Sequence, residues 1–131
     1  SSAFTYDKTA PTVSSAAMSD TALKSGETAT VTLVFSEAVT AFANADLTIP
    51  NGSLSTMTSS DNITWNGTFT PTTNTEDSSN VLSLATTYTD LAGNSGPTGT
   101  TSNYEVDTLA PTVSSIAITS AEGIQNIYLN E

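Results

Sequence analysis

An all-β chain, folded as an antiparallel β-sandwich of about seven strands, is what this sequence predicts, and three observations predict it. Apolar residues recur at every second position in short runs, as in Ala29, Val31, Leu33 and Phe35 set between Thr28, Thr30 and Thr32. A period of two puts one set of side chains on a buried face and leaves the other in water. Turn-forming residues interrupt the chain at the spacing of about 8–12 residues that a sandwich requires. Nothing in between reads as a helix.

Length and a repeat set the domain plan. At 131 residues, with 37% apolar residues, 7% aromatic and Trp65 the one tryptophan, the chain can bury one modest core. The stretch Asp7-Lys8-Thr9-Ala10-Pro11-Thr12-Val13-Ser14-Ser15 returns as Asp107-Thr108-Leu109-Ala110-Pro111-Thr112-Val113-Ser114-Ser115. An offset of 100 residues between Asp7 and Asp107 is the size of a small domain, so each copy marks a seam between tandem domains. Residues 1–7 read as the last-strand remnant of a preceding repeat, 8–107 as a complete domain and 108–131 as the first-strand segment of a following repeat.

The elements follow in order. Phe4 and Tyr6 align with Tyr104 and Val106, so both stretches read as a final strand entering a seam. Pro11 stiffens the connection. Pro11 to Ser19 reads as a first strand, Asp20 to Gly26 as a polar loop, and Glu27 to Phe35 as the second strand. Ser36-Glu37-Ala38-Val39 ends it and leads past Phe42 to a short strand at Leu47 to Ile49. Asn51-Gly52 and Asn66-Gly67 each suit a type I′ turn, which places two hairpins. Pro71 to Asn80 reads as a polar loop, Val81 to Tyr88 as a strand, Asp90 to Asn94 as a tight turn and Thr101 to Val106 as the closing strand. Serine and threonine, roughly a third of the residues, read as solvated sheet faces. The tail 108–131 is too short to fold alone. Ile116, Ile118, Ile124, Ile127, Tyr128 and Leu129 predict that it docks as a borrowed strand, or exchanges between chains as a strand-swapped dimer.

Charge and composition exclude several functions. Thirteen acidic residues stand against two lysines, Lys8 and Lys24, with no arginine or histidine, for a net charge of −11. Such a surface repels phosphate backbones and anionic membranes and favours cations, so no nucleic-acid partner is expected. No apolar run is long enough for membrane insertion. Without cysteine there are neither disulfides nor thiolate metal sites, and Ca²⁺ held by oxygen ligands is the remaining kind of staple. Catalysis is left with Ser, Thr, Tyr, Lys and carboxylates, and with few aromatics to line a sugar cleft, so the chain does not read as an enzyme. Lys8 in the seam and Lys24 in a loop are poorly placed for an intramolecular isopeptide bond. Asp61, Glu76 and Asp77 read as solvated loop charges.

Strand direction sorts the other carboxylates. The first strand leaves the N-terminal pole and the second returns to it, bringing Glu37 back near Asp7. The last strand delivers Asp107 to the opposite pole, so the strand before it runs toward the first pole and places the turn Asp90 to Asn94 there. Asp7, Glu37 and Asp90, with the side-chain amide of Asn94, therefore form a candidate Ca²⁺ site, since a hard cation takes six to eight oxygens. Asp107 would offer the equivalent first ligand to the next repeat, whose partners are missing from this chain.

Asp7-x-x-Ala10-Pro11-Thr12-Val13, Phe35-Ser36-Glu37-Ala38-Val39, Asp46-Leu47-Thr48 and Thr89-Asp90-x-Ala92-Gly93-Asn94 together resemble the bacterial immunoglobulin-like tandem repeats of large surface adhesins of the RTX and biofilm-associated type. The resemblance covers about Asp7 to Asp107, and Asn126 to Glu131 looks like the start of another unit. It implies an immunoglobulin-like sandwich, although the Cys and Trp pattern of antibody domains is absent. It further implies an extracellular extender at the bacterial cell surface, stacked on neighbouring copies of itself in the parent chain, with Ca²⁺ stiffening the junctions. The family's linker aspartate falls on Asp7 and Asp107, and its turn aspartate on Asp90; Glu37 matches the Phe-Ser-Glu segment. The alternative is a ligand-binding module for a glycan or protein. Nearly identical seams at both poles favour the extender, because such poles fit a copy of the domain itself.

Overall fold

In a computed structural model, which describes residues 3–4 and 6–118, the chain is all-β. Its strands are β1 (Val13–Met18), β2 (Ala22–Lys24), β3 (Ala29–Phe35), β4 (Val39–Thr40), β5 (Leu47–Thr48) and β6 (Gly52–Leu54). They continue as β7 (Thr64–Pro71), β8 (Glu76–Asn80), β9 (Ser83–Leu84), β10 (Thr89–Asp90), β11 (Gly99–Thr100) and β12 (Tyr104–Asp107). A 3-10 turn, Asn44–Asp46, precedes β5. The strands outnumber the seven expected because several are two-residue pieces.

One sheet has the order β1-β3-β7-β6 and is antiparallel throughout. The rest of the sandwich is assembled from β11-β9-β5, β2-β12-β8 and the pair β10-β4. The core lies between. Ala29, Val31, Leu33 and Phe35 of β3 are buried, as their alternation predicts, and Leu84, Tyr88, Tyr104 and Val106 come from the other side. Rings lock the halves together: Phe69 meets Tyr104 edge-on at 5.2 Å, and Phe35 meets Tyr88 at 5.0 Å. Phe42 extends the cluster to Trp65 at 4.9 Å. Each such pair adds about 0.5–1.5 kcal/mol beyond its buried area. The two buried tyrosines also satisfy their hydroxyls, Tyr104 donating to the Pro50 carbonyl at 2.6 Å and Tyr88 to that of Pro97 at 2.8 Å.

Five expectations are corrected here. The polar loop Asp20 to Gly26 contains a strand: Leu23 is fully buried, and β2 pairs in parallel with β12, Leu23 opposite Val106. The polar stretch Pro71 to Asn80 likewise contains β8, antiparallel to β12. Its buried Asn80 is satisfied by the Asn51 amide and the Asp77 and Tyr104 carbonyls. Asn51-Gly52 is not a type I′ hairpin. Asn51 has φ 51°, but Gly52 lies outside the left-handed region, and β5 and β6 pair with different strands, β9 and β7. Glycine is needed at 52 because a Cβ there would lie 2.1 Å from the Phe69 ring. Asn66-Gly67 is no turn either. It lies inside β7, opposite Thr32 and Val31, where Asn66 accepts the Thr32 hydroxyl hydrogen bond and Gly67 clears the Met57 sulfur. Of Val81 to Tyr88 only Ser83–Leu84 is a strand, although Leu82, Leu84 and Tyr88 are buried as their phase predicts.

At the N-terminal edge Phe4 and Tyr6 are exposed and outside any strand. At the other end Thr108 is buried, its hydroxyl donating to the Thr72 carbonyl at 2.6 Å and accepting from the Thr75 amide at 3.0 Å. Beyond it, residues 109–118 form no strand and leave Ile116 and Ile118 exposed, so the expected docking does not occur over this segment. Ile124, Ile127, Tyr128, Leu129 and the stretch Asn126 to Glu131 lie outside the described residues.

A candidate cation site at the N-terminal pole

Three segments are brought to one pole by backbone pairing. Val13 of β1 stands opposite Phe35 of β3. Just beyond, the Ser36 amide donates to the Thr12 carbonyl at 2.9 Å and the Thr12 amide to Ser36 Oγ at 2.8 Å. The seam is thereby tied to the end of β3, next to Glu37. β4 starts two residues later and pairs with β10, Val39 opposite Asp90, so the turn after β10 lies beside Glu37 as well.

That turn is shaped by Asp90. Its Oδ1 accepts hydrogen bonds from the Ala92 and Asn94 amides at 2.8 Å each, while its own amide donates to the Asn94 carbonyl at 3.0 Å. Gly93, with φ 92°, takes the left-handed position. Asn94 Nδ2 donates to Asp90 Oδ2 at 2.7 Å and reaches the Asp7 and Thr9 carbonyls, both at 3.2 Å. Asp7 in turn accepts from the Thr9 amide at 2.8 Å.

Carboxylate oxygens of Asp7, Glu37 and Asp90 consequently lie within 4.8 Å of one another. The three predicted acids do come together. Asn94 is at the same place, where its Nδ2 donates to Asp90 and to the seam carbonyls and so clamps the linker onto the turn. Asp107 is at the far pole, at the end of β12, paired with Lys24 of β2 and Glu76 of β8.

The cluster carries an electrostatic cost. Burial pushes the Glu37 carboxyl above its ordinary value, and the charges of Asp7 and Asp90 push it further the same way. Asp90, although only 1% exposed, is held below its ordinary value, chiefly by the Asn94 side-chain amide and then by the turn amides. Lys8, the nearest basic residue in sequence, lies over the Tyr6 ring at 4.9 Å. The donor set is all oxygen and anionic, which suits a hard divalent cation rather than a soft transition metal.

Other acids have structural roles that the sequence reading missed. Asp61 is exposed but organises its turn, with Oδ1 accepting from the Ile63 and Thr64 amides and the Ser59 hydroxyl, and its carboxyl is held below its usual value by those bonds. Asp77 sits in β8 and accepts from the Asn51 amide at 2.8 Å and the Ser79 amide at 2.9 Å. Asp46 is buried and bonded to the Ala43 amide and the Thr87 hydroxyl. Its position three residues after Ala43, at the end of a helical turn, was the available signal.

A family model described as a bacterial Ig-like domain matches residues 7–106. No curated protein and no solved structure matches the chain.

Proposed function

The chain belongs to the bacterial Ig-like domain family, and from that premise we propose that it is a structural extender of a bacterial cell-surface adhesin, stacked in tandem and stiffened by Ca²⁺ at its junctions. The observation that carries the reading is the convergence of Asp7, Glu37 and Asp90 within 4.8 Å. Asp7 belongs to the seam, whereas Glu37 and Asp90 belong to the body of the domain. A cation shared among them would fix the linker to the domain and remove the mutual repulsion of three carboxylates. Asp107 supplies the matching first ligand at the other end, to be completed by a following copy. The bacterial Ig-like family fits a non-catalytic extracellular role.

Thermal melting during a Ca²⁺ titration tests this. A cation that binds only the folded state stabilises it by about 2.7 kcal/mol at a hundredfold excess over Kd, which for a domain this small raises the melting temperature by on the order of 10 °C. The same melting temperature in chelator and in millimolar Ca²⁺ would rule the proposal out.

A further inference from the structure

The chain contains a second copy of its own first strand, and among the described residues that copy forms no strand. Residues 110–115 repeat residues 10–15 without a change, and Ile116, Ala117 and Ile118 follow where Ala16, Ala17 and Met18 stand. Among the described residues β1 is an edge strand, bonded within its sheet to β3, with Pro11 buried and Val13, Ala16 and Met18 packed against the core. In the copy, Val113, Ile116 and Ile118 are 77%, 85% and 68% exposed. Every position that β1 turns toward the core is thus matched by an apolar side chain in the tail.

Reach decides whether the tail can use its own domain. Thr108 is fixed at the C-terminal pole by Thr72 and Thr75, whereas Val113 would have to stand opposite Phe35, at the other end of β3. Five extended residues span about 17 Å. The seven residues of β3 alone cover about 20 Å, before any crossing from one sheet to the other. The tail therefore cannot take the place of β1 in its own molecule.

We infer that residues 110–118 of one copy replace β1 in a second copy of the chain, pairing with that copy's β3 in the register β1 now holds, Ala117 opposite Thr32 and Ile118 opposite Val31. The backbone ladder lost by the displaced strand is the one the incoming strand regains. Balance is tipped by Ile116 and Ile118 leaving water in exchange for Ala16 and Met18. The donor leaves from its C-terminal pole and enters at the acceptor's N-terminal pole, so the contact is head-to-tail. It grows as an open series unless two molecules exchange tails mutually. Because β1 is tethered to its own domain at an effective concentration on the order of millimolar, exchange belongs to concentrated protein in which the strand has been loosened. No cation is required.

The full chain, concentrated to about a millimolar, warmed to just below its melting temperature and cooled in chelator, should show multiples of the monomer mass by light scattering. The double substitution Ile116→Asp and Ile118→Asp lies outside the folded domain, so it should leave the melting temperature unchanged and lower the oligomer fraction at least about tenfold, the factor that 1.4 kcal/mol represents. With Thr32→Cys and Ala117→Cys together, oxidation should give disulfide-linked multimers, and Ser60→Cys with Ala117→Cys should give far fewer. A monomer mass throughout, oligomers that survive the double aspartate variant, or equal crosslinking from residues 32 and 60 would each overturn the inference.

Discussion

The two poles carry the same aspartate in different company. At the N-terminal pole Asp7 is followed in the chain by Glu37 and Asp90, and pairing of β1 with β3 and of β4 with β10 folds all three carboxylates together. At the C-terminal pole Asp107 ends β12 between Lys24 and Glu76, and the next residue, Thr108, is buried and bonded to Thr72 and Thr75. The residue equivalent to Thr108 at the first seam is Lys8, exposed and lying over Tyr6. One pole thus gathers charge and the other holds the chain by neutral hydrogen bonds. The seam motif itself determines neither outcome. Among the described residues, the domain contributes acids to the motif it follows in the chain at the first pole and carbonyls to the motif that ends it at the other.

The largest test of that contrast removes one acid at each pole. Glu37→Gln should abolish most of the Ca²⁺-dependent rise in melting temperature while leaving the domain at least as stable in chelator, because a like charge has been taken from the cluster. Asp107→Asn, measured in the same titration, should leave the rise intact and shift stability by no more than about 0.5 kcal/mol, as is usual for exposed positions. Equal loss in both variants would erase the distinction between the poles. Next in size, Thr108→Val keeps the shape and removes the hydroxyl that satisfies the Thr72 carbonyl and the Thr75 amide. Leaving such groups unpaired costs about 1–3 kcal/mol, and melting of the variant should fall by roughly 4–8 °C for each kcal/mol. An unchanged melting temperature would mean that the C-terminal pole is not held through Thr108.

The smallest effect concerns the two buried tyrosines, one packed on Phe35 toward the acidic pole and the other on Phe69 toward the opposite one. Burial pushes the Tyr88 phenol up, and burial together with the Asp77 charge pushes Tyr104 up to about 12. A folded value above the unfolded value of about 10 means that the stabilisation is complete below pH 10 and is lost as pH rises through about 12. Ultraviolet titration should therefore show Tyr104 ionising only as the fold gives way. Early ionisation of Tyr104 would contradict its burial and its bond to Pro50.

Much of this was legible because it is local. The alternation from Ala29 to Phe35 states its own buried face, and once β1 and β3 are known to run in opposite directions Glu37 must return to Asp7. The turn Asp90 to Asn94 could be assigned to that pole for the same reason. β2 and β8 were not legible, because what makes them strands is β12, which pairs with both and lies about 80 and 30 residues away in the chain. Leu23, the one large apolar residue between Asp20 and Gly26, gave no period to read. The two Asn-Gly pairs misled because glycine is tolerated in a left-handed turn and is also required wherever a side chain presses on the backbone. Gly52 under Phe69 and Gly67 beside Met57 are of the second kind. Asn94 could be assigned to the N-terminal pole, but its clamp on the seam was not legible, since it depends on the Asp7 and Thr9 carbonyls that no motif specifies.

The parallel pairing of β2 with β12 has a mechanical consequence. The chain enters the domain at the Asp7 pole and leaves it at the Asp107 pole, so tension applied to the two ends draws β2 toward one pole and β12 toward the other. Ala22, Leu23 and Lys24 lie beside Glu105, Val106 and Asp107, with the Glu105 amide donating to the Thr21 carbonyl at 2.8 Å. Force along that pair acts as shear, loading its hydrogen bonds together instead of opening them one after another, and β12 cannot leave the domain without drawing the buried Val106 out of the core.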